Sequence, residues 1–277
     1  MQSVIKQVVF WNNKERAGIV RSWQEVLNKS EEVYLTKNDR LLKHGGSLSG
    51  NQLKWFKDGK CYKLNTLGYE DIAETLVSQL LSYTNIDNDT YIKYHKCTII
   101  EDGIVLGKGC YSYDYINGGY EITIRQILED QLMSMSSTYD DVRDILLDIT
   151  GVDFKTYLDN VLCLDAITFN ADRHFGNFTL VLNNDKWKGI IFDNGDSCLA
   201  DTLSNPIGID YKQACDNILA KPFSIYFTEQ IKYATPLLIK YEDFINSVVV
   251  EDLETERAVN VIKYGLQKTK GIAWESY

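Results

Sequence analysis

The chain has 277 residues, 44% of them hydrophobic, and carries a formal net charge of −10. That length buries a substantial core and fits one large domain or two lobes. The acidic balance excludes broad nucleic-acid binding, which needs a basic face against phosphate, and no apolar run reaches membrane-spanning length.

The first residues, MQSVIKQVVFWNNKERAG, lack the apolar centre and small-residue cleavage site of a secretory signal, so a soluble cytoplasmic protein is expected. Residues 4–11, 52–64, 91–100 and 104–115 are rich in β-branched and aromatic side chains. KDG and EDG stand at two of the reversals, which predicts antiparallel hairpins. A helix is predicted over 70–83, where Ile72, Leu76, Val77, Leu80 and Leu81 recur at helical spacing. From about residue 119 the pattern turns helical, over 123–135, 139–149, 153–169 and further helices towards the end, with one hairpin embedded at 178–192. The expected fold class is α+β in two lobes. A β-rich lobe with one helix spans residues 1–117, and a mainly helical lobe spans 118–277, with a crossing near 111–115. Six cysteines are scattered without a C-x-x-C pair, and they read as free thiols in a reducing compartment.

The segment FNADRHFGNFTLVLNNDKWKGIIFDNGDS, residues 169–197, packs polar side chains between apolar runs. In-line phosphoryl transfer needs one carboxylate on the attacking hydroxyl, plus a carboxylate and an amide oxygen to hold Mg²⁺. Asp172 precedes Asn177 by the Asp-x-x-x-x-Asn spacing of a kinase catalytic loop. Two strand-like runs reversed at NND then deliver Asp193, followed by Asn194 and Gly195. Either motif alone is better read as an ordinary helix cap or turn. In order, and joined by a hairpin, they point to a nucleotide–metal site. His174 reads as a brace for the loop, and Arg173 as a contact to phosphate or to an acidic neighbour. Asp165 and Asn170 read as supports.

NADRHFGN followed by IIFDNGDS resembles the HipA-like Ser/Thr kinases, with their D-[RD]-H-x-x-N and D-x-G-x-S motifs, and the chain is similar to compact CtkA-type members. The resemblance implies Asp172 as catalytic carboxylate, Asn177 and Asp193 as Mg²⁺ ligands and Ser197 as a nearby support. SLSGNQLKWF, residues 47–56, is similar to the family's S-x-[AS]-G-x-Q-x-K segment. Gly46, Ser47, Ser49 and Gly50 would then face phosphate, where glycine lets backbone N–H groups approach anionic oxygens. Ser47 and Ser49 lie where family members autophosphorylate, and a phosphate there would compete with those of ATP.

The resemblance also implies that Lys63 meets the α- and β-phosphates and that Glu74 holds Lys63, with Glu70 as the rival partner. Backbone groups around Tyr111 to Tyr113 would meet adenine and Asp114 a ribose hydroxyl; a buried strand ending in a turn Asp accounts for those residues equally well. Implied cofactors are ATP and Mg²⁺. Implied partners are a protein substrate with a Ser or Thr acceptor and a small antitoxin-like or regulatory protein, with no direct nucleic acid and no membrane. Two other readings stay open: a small-molecule or lipid kinase on the same fold, and a nucleotide-binding pseudokinase.

Overall fold

The computed structural model describes residues 30–41, 52–116, 118–134 and 136–276. The strand expected at 4–11 and the glycine-rich segment with Gly46, Ser47, Ser49 and Gly50 lie outside them.

Five strands form the first sheet: β1 (Glu31–Leu35), β2 (Lys54–Lys57), β3 (Lys60–Leu64), β4 (His95–Glu101) and β5 (Ile104–Tyr113), in the order β1-β4-β5-β3-β2. All its pairings are antiparallel except β1 on β4. The reversals sit where the sequence places them. Asp58–Gly59 and Asp102–Gly103 both have positive φ at each central residue, as a tight two-residue hairpin requires. One face of the sheet buries Val33, Leu35, Trp55, Tyr62, Cys97, Ile99 and Tyr111.

Helix α1 (Glu70–Leu81) follows β3 and buries Ile72, Ala73, Leu76, Val77, Leu80 and Leu81. Glu70 fixes its entry, because its carboxylate accepts the backbone N–H groups of Thr66, Leu67 and Gly68 at 2.7–2.8 Å. Beyond the crossing, β6 (Tyr120–Thr123), β7 (Thr179–Asn183) and β8 (Lys186–Ile190) form a second antiparallel sheet. The sequence reading found the β7–β8 hairpin and missed β6, a four-residue strand too short to show alternation. Ile92, Tyr94 and Cys110 pack with Val181, Ile190 and Phe192, which joins the first sheet to this hairpin.

Helices α2 (Ile124–Asp130), α3 (Tyr139–Thr150) and α4 (Lys155–Thr168) come next. The helix expected over 123–135 ends at Asp130. Leu132 turns left-handed and Met133 N–H reaches back to the Leu128 carbonyl at 2.8 Å, a closing turn that stops the helix. Helix α4 is buried nearly all round and serves as the axis of the helical region. The remainder comprises α5 (Tyr211–Asn217), α6 (Phe227–Gln230), α7 (Tyr241–Ser247) and α8 (Leu253–Thr269). A small parallel pair, β9 (Leu237–Ile239) with β10 (Trp274–Ser276), was not foreseen, since three-residue strands carry no period to read. Helix α8 crosses the end of α4 at Gly265, where a Cβ would stand 1.9 Å from the Ile167 carbonyl oxygen. Among the described residues all six cysteines are free and no helix is long and apolar enough to cross a membrane.

Candidate active site

Helix α4 delivers the DRH loop. It ends at Phe169, whose left-handed conformation (φ 54°) is uncommon for a bulky residue; its ring packs against Phe227 and Tyr264. The loop is then closed by its own polar groups. Asn170 Oδ1 accepts Asp172 N–H at 3.0 Å, and the Asp172 carbonyl accepts His174 N–H at 2.9 Å. Asn177 Nδ2 donates to the same carbonyl at 2.9 Å, so its amide nitrogen is spent inward and its Oδ1 is left for another ligand. His174 Nδ1 accepts Gly176 N–H at 3.1 Å, a loop-bracing contact.

Arg173 is fully buried and locks the two motifs together. Its guanidinium forks onto the Asp165 carboxylate at 2.9–3.2 Å. The remaining donors go to the carbonyls of Asn177 (3.0 Å) and Phe192 (2.9 Å) and to Asn194 Oδ1 (2.7 Å). One side chain therefore ties the end of the DRH loop to the start of DNG. The acidic neighbour expected for Arg173 is Asp165. Ser197 closes the other side, with its Oγ 3.2 Å from Thr168 Oγ1.

The sheet and helix α1 bring the opposite wall. Lys63 Nζ lies 2.7 Å from Glu74 Oε1 and 2.8 Å from Asp193 Oδ1. Glu74, not Glu70, meets the lysine, because Glu70 is consumed at the helix entry. The second oxygen of Glu74 accepts Asn194 N–H at 2.9 Å, so α1 grips the DNG turn directly. Burial works against the charge on Lys63, but Asp193 and Glu74 outweigh it and raise its pKa. Burial likewise opposes the charge on Asp193, and Lys63 and Lys54 overcome it, holding that carboxyl far below the usual range. For Glu74 burial wins and its pKa rises.

Asp172 is half exposed, with Lys221 Nζ 3.2 Å from its Oδ1 and His174 Nε2 3.8 Å from its Oδ2. Asp196 stands nearby; burial, with the charges of Asp172 and Asp201 adding to it, pushes its pKa up to about 7. Tyr111 and Tyr113 turn their rings to the sheet face away from Lys63. Tyr111 packs on Tyr62 and donates to Glu31 at 2.8 Å, while Cys110 is the strand residue opposite Lys63. Any contact of these tyrosines with a base in the cleft therefore falls to the backbone. Asp114 Oδ1 accepts Ile116 N–H at 3.0 Å, which is the turn role.

Among the described residues no three His, Cys, Asp or Glu side chains cluster as a metal cage. Asp193 and Asn177 offer hard oxygen donors, which suits Mg²⁺, an ion commonly held by one or two protein groups together with phosphates and water.

No family model matches the chain, and no curated protein does. Solved structures do. The Helicobacter pylori proinflammatory kinase CtkA aligns over 86% of this chain and 95% of its own, with a TM-score of 0.60 at 12% identity. The fold is that of a CtkA-type kinase. HipA of Shewanella oneidensis, solved with HipB and operator DNA, is a looser likeness. It covers 83% of this chain and 58% of its own, with a TM-score of 0.40 at 13% identity.

Sequence reasoning gave no role to two residues of this candidate centre. Lys54 lies directly across from Lys63 in the β2–β3 ladder and is buried. Burial, then Lys63, lowers its pKa. A lysine at an inward position of a strand that follows a glycine-rich segment is the signal that marks it. Asn194, read only as the middle residue of the DNG motif, is a hub: its N–H meets Glu74 and its side-chain oxygen meets Arg173. Nothing in the sequence singles it out from other Asn-Gly turns.

Proposed function

We propose that this chain is a Mg²⁺- and ATP-dependent protein kinase that phosphorylates Ser or Thr hydroxyls, its own included. The single observation carrying this reading is the bridge of Lys63 to both Glu74 and Asp193. Lys63 and Lys54 supply positive charge for the nucleotide phosphates. Asn177 and Asp193 would hold Mg²⁺, which when bound neutralises charge on the phosphate oxygens. Asp172 orients the acceptor hydroxyl and takes its proton. The backbone of 111–113 serves the adenine. Catalysis of this kind is mostly positioning and electrostatics. Ser47 and Ser49 are the proposed self-phosphorylation sites, and a small regulatory protein is the proposed partner.

The test is incubation with Mg²⁺ and γ-labelled ATP, followed by phosphoamino-acid analysis of the chain and of added protein substrates. Label on Ser or Thr, lost with chelator and lost in Asp172→Ala while ATP binding persists, is the expected result. Label confined to a lipid or metabolite would move the acceptor class. Absence of transfer to any acceptor, with ATP still bound, would leave a nucleotide-binding module.

A further inference from the structure

Phosphoryl transfer brings an anionic group towards Asp172, on a wall of the cleft already crowded with carboxylates. Burial raises the pKa of Asp196, the charges of Asp172, Asp201 and Glu70 add to it, and Lys221 opposes them. A cation is needed there, and the loop that carries Asp172 does not provide one. DRHFGN contains no lysine. Arg173 is fully buried, with its guanidinium committed to Asp165, Asn194 and two carbonyls. His174 faces Asp172, but burial, with Arg125 adding to it, outweighs that carboxylate and lowers the imidazole pKa. Lys63 is engaged by Glu74 and Asp193.

The cation that touches Asp172 comes from 49 positions further along the chain: Lys221, 3.2 Å from Oδ1. Both side chains of this pair are about half exposed. Such ion pairs contribute only about 0–1 kcal/mol, so stability gives little reason to hold one here. The backbone under Lys221 is nevertheless firmly built. Ala220 N–H donates to the Ile225 carbonyl at 3.0 Å, and Phe223 N–H donates to Gln230 Oε1 at 2.9 Å. The Phe223 ring packs edge-on against Phe175 of the DRH loop and against Tyr139, each at 5.5 Å. The stem of Lys221 is thereby keyed to the loop that bears Asp172, while its ammonium stays in solvent and can move.

We propose that Lys221 is a catalytic residue, whose ammonium rests on Asp172 in the free protein and transfers to the phosphoryl group during the reaction. This rests on the kinase reading. In the step, the acceptor oxygen bonds to the γ-phosphorus as that atom's bond to the β–γ bridging oxygen breaks. The electron pair of the broken bond leaves on the ADP oxygen. The hydroxyl proton passes to the Asp172 carboxylate, and Lys221 stays protonated throughout. Its movement does two things at once: it uncovers Oδ1 for the acceptor and brings positive charge to the equatorial oxygens, where preorganised charge counts most.

Lys221→Met and Lys221→Arg in the full chain test this, with Lys63→Met as the comparison. For Lys221→Met the turnover rate should fall about 10²-fold or more, with KM for Mg-ATP within about threefold of wild type. By calorimetry, affinity for Mg-ADP should stay unchanged. Affinity for Mg-ADP with aluminium fluoride, a mimic of the transferring phosphoryl group, should drop at least about tenfold. Lys221→Arg should recover part of both losses. Unchanged turnover in Lys221→Met, or equal weakening of both nucleotide complexes, overturns the proposal and leaves the kinase reading intact. A wild-type chain that transfers no phosphate overturns both.

Discussion

Two ionic centres meet at the DNG turn, and they are built differently. The Arg173–Asp165 pair has no exposed surface, and all its donors are matched to fixed acceptors on the DRH loop and the DNG turn. The bridge of Lys63 to Glu74 and Asp193 has similar distances, but the Asp193 side chain keeps 20% of its surface in solvent. A buried pair with full hydrogen bonding holds one geometry, because breaking it strands a charge. A bridge open on one side can exchange a partner. The first centre fixes where the motifs stand; under the proposed function, the second would trade a carboxylate for phosphate or metal.

Arg173→Met probes the first centre hardest, since it abandons the Asp165 carboxylate and two carbonyls in the interior. It should cost about 3–5 kcal/mol in urea denaturation; a loss near zero would break the contrast. Lys63→Met should act on chemistry instead. Phosphate transfer should fall about 100-fold, roughly 2.7 kcal/mol in the barrier. Stability should change less than in Arg173→Met, because Glu74, its pKa already raised by burial, can take up a proton. Equal destabilisation by both would merge the two centres into one.

The third test uses pH. Burial, with neighbouring carboxylates, pushes the Asp196 pKa up to about 7 from its ordinary 3.8. The folded state therefore binds its proton more tightly, and the metal-free protein should lose stability as pH rises from about 4 to 7. Asp196→Asn should flatten that slope, recovering about 1–2 kcal/mol at pH 8 after allowance for partial exposure. Asp193 has the opposite sign. Its depressed pKa contributes stability above the ordinary carboxylate range, and this is lost on acidification. Acid unfolding of Asp193→Asn should therefore be less steep than wild type, and an unchanged profile would remove Asp193 from the bridge. The smallest effect belongs to Lys221→Met, whose thermal midpoint should match wild type within error while its turnover falls.

Much of this was legible along the chain. The DG reversals require left-handed φ, so Asp58–Gly59 and Asp102–Gly103 announced their hairpins. Helix α1 showed in its apolar spacing, and the motifs around Asp172, Asn177 and Asp193 pointed to the kinase-like fold in advance. What stayed hidden had local reasons. β6, β9 and β10 are three or four residues long, below the length at which alternation can be seen. The choice between Glu70 and Glu74 depended on which carboxylate the 66–68 backbone would consume.

The sequence by itself determined the chemical inventory: the carboxylates, the amide, the lysine and the turns and helix that carry them. These are read from side-chain type and short-range period, which act within a few residues. Tertiary structure alone decided that Asn194 links Glu74 to Arg173 and that Lys221 reaches Asp172. Those contacts join residues far apart in the chain, and burial and charge decide them only once α1, the first sheet and the helical region have packed.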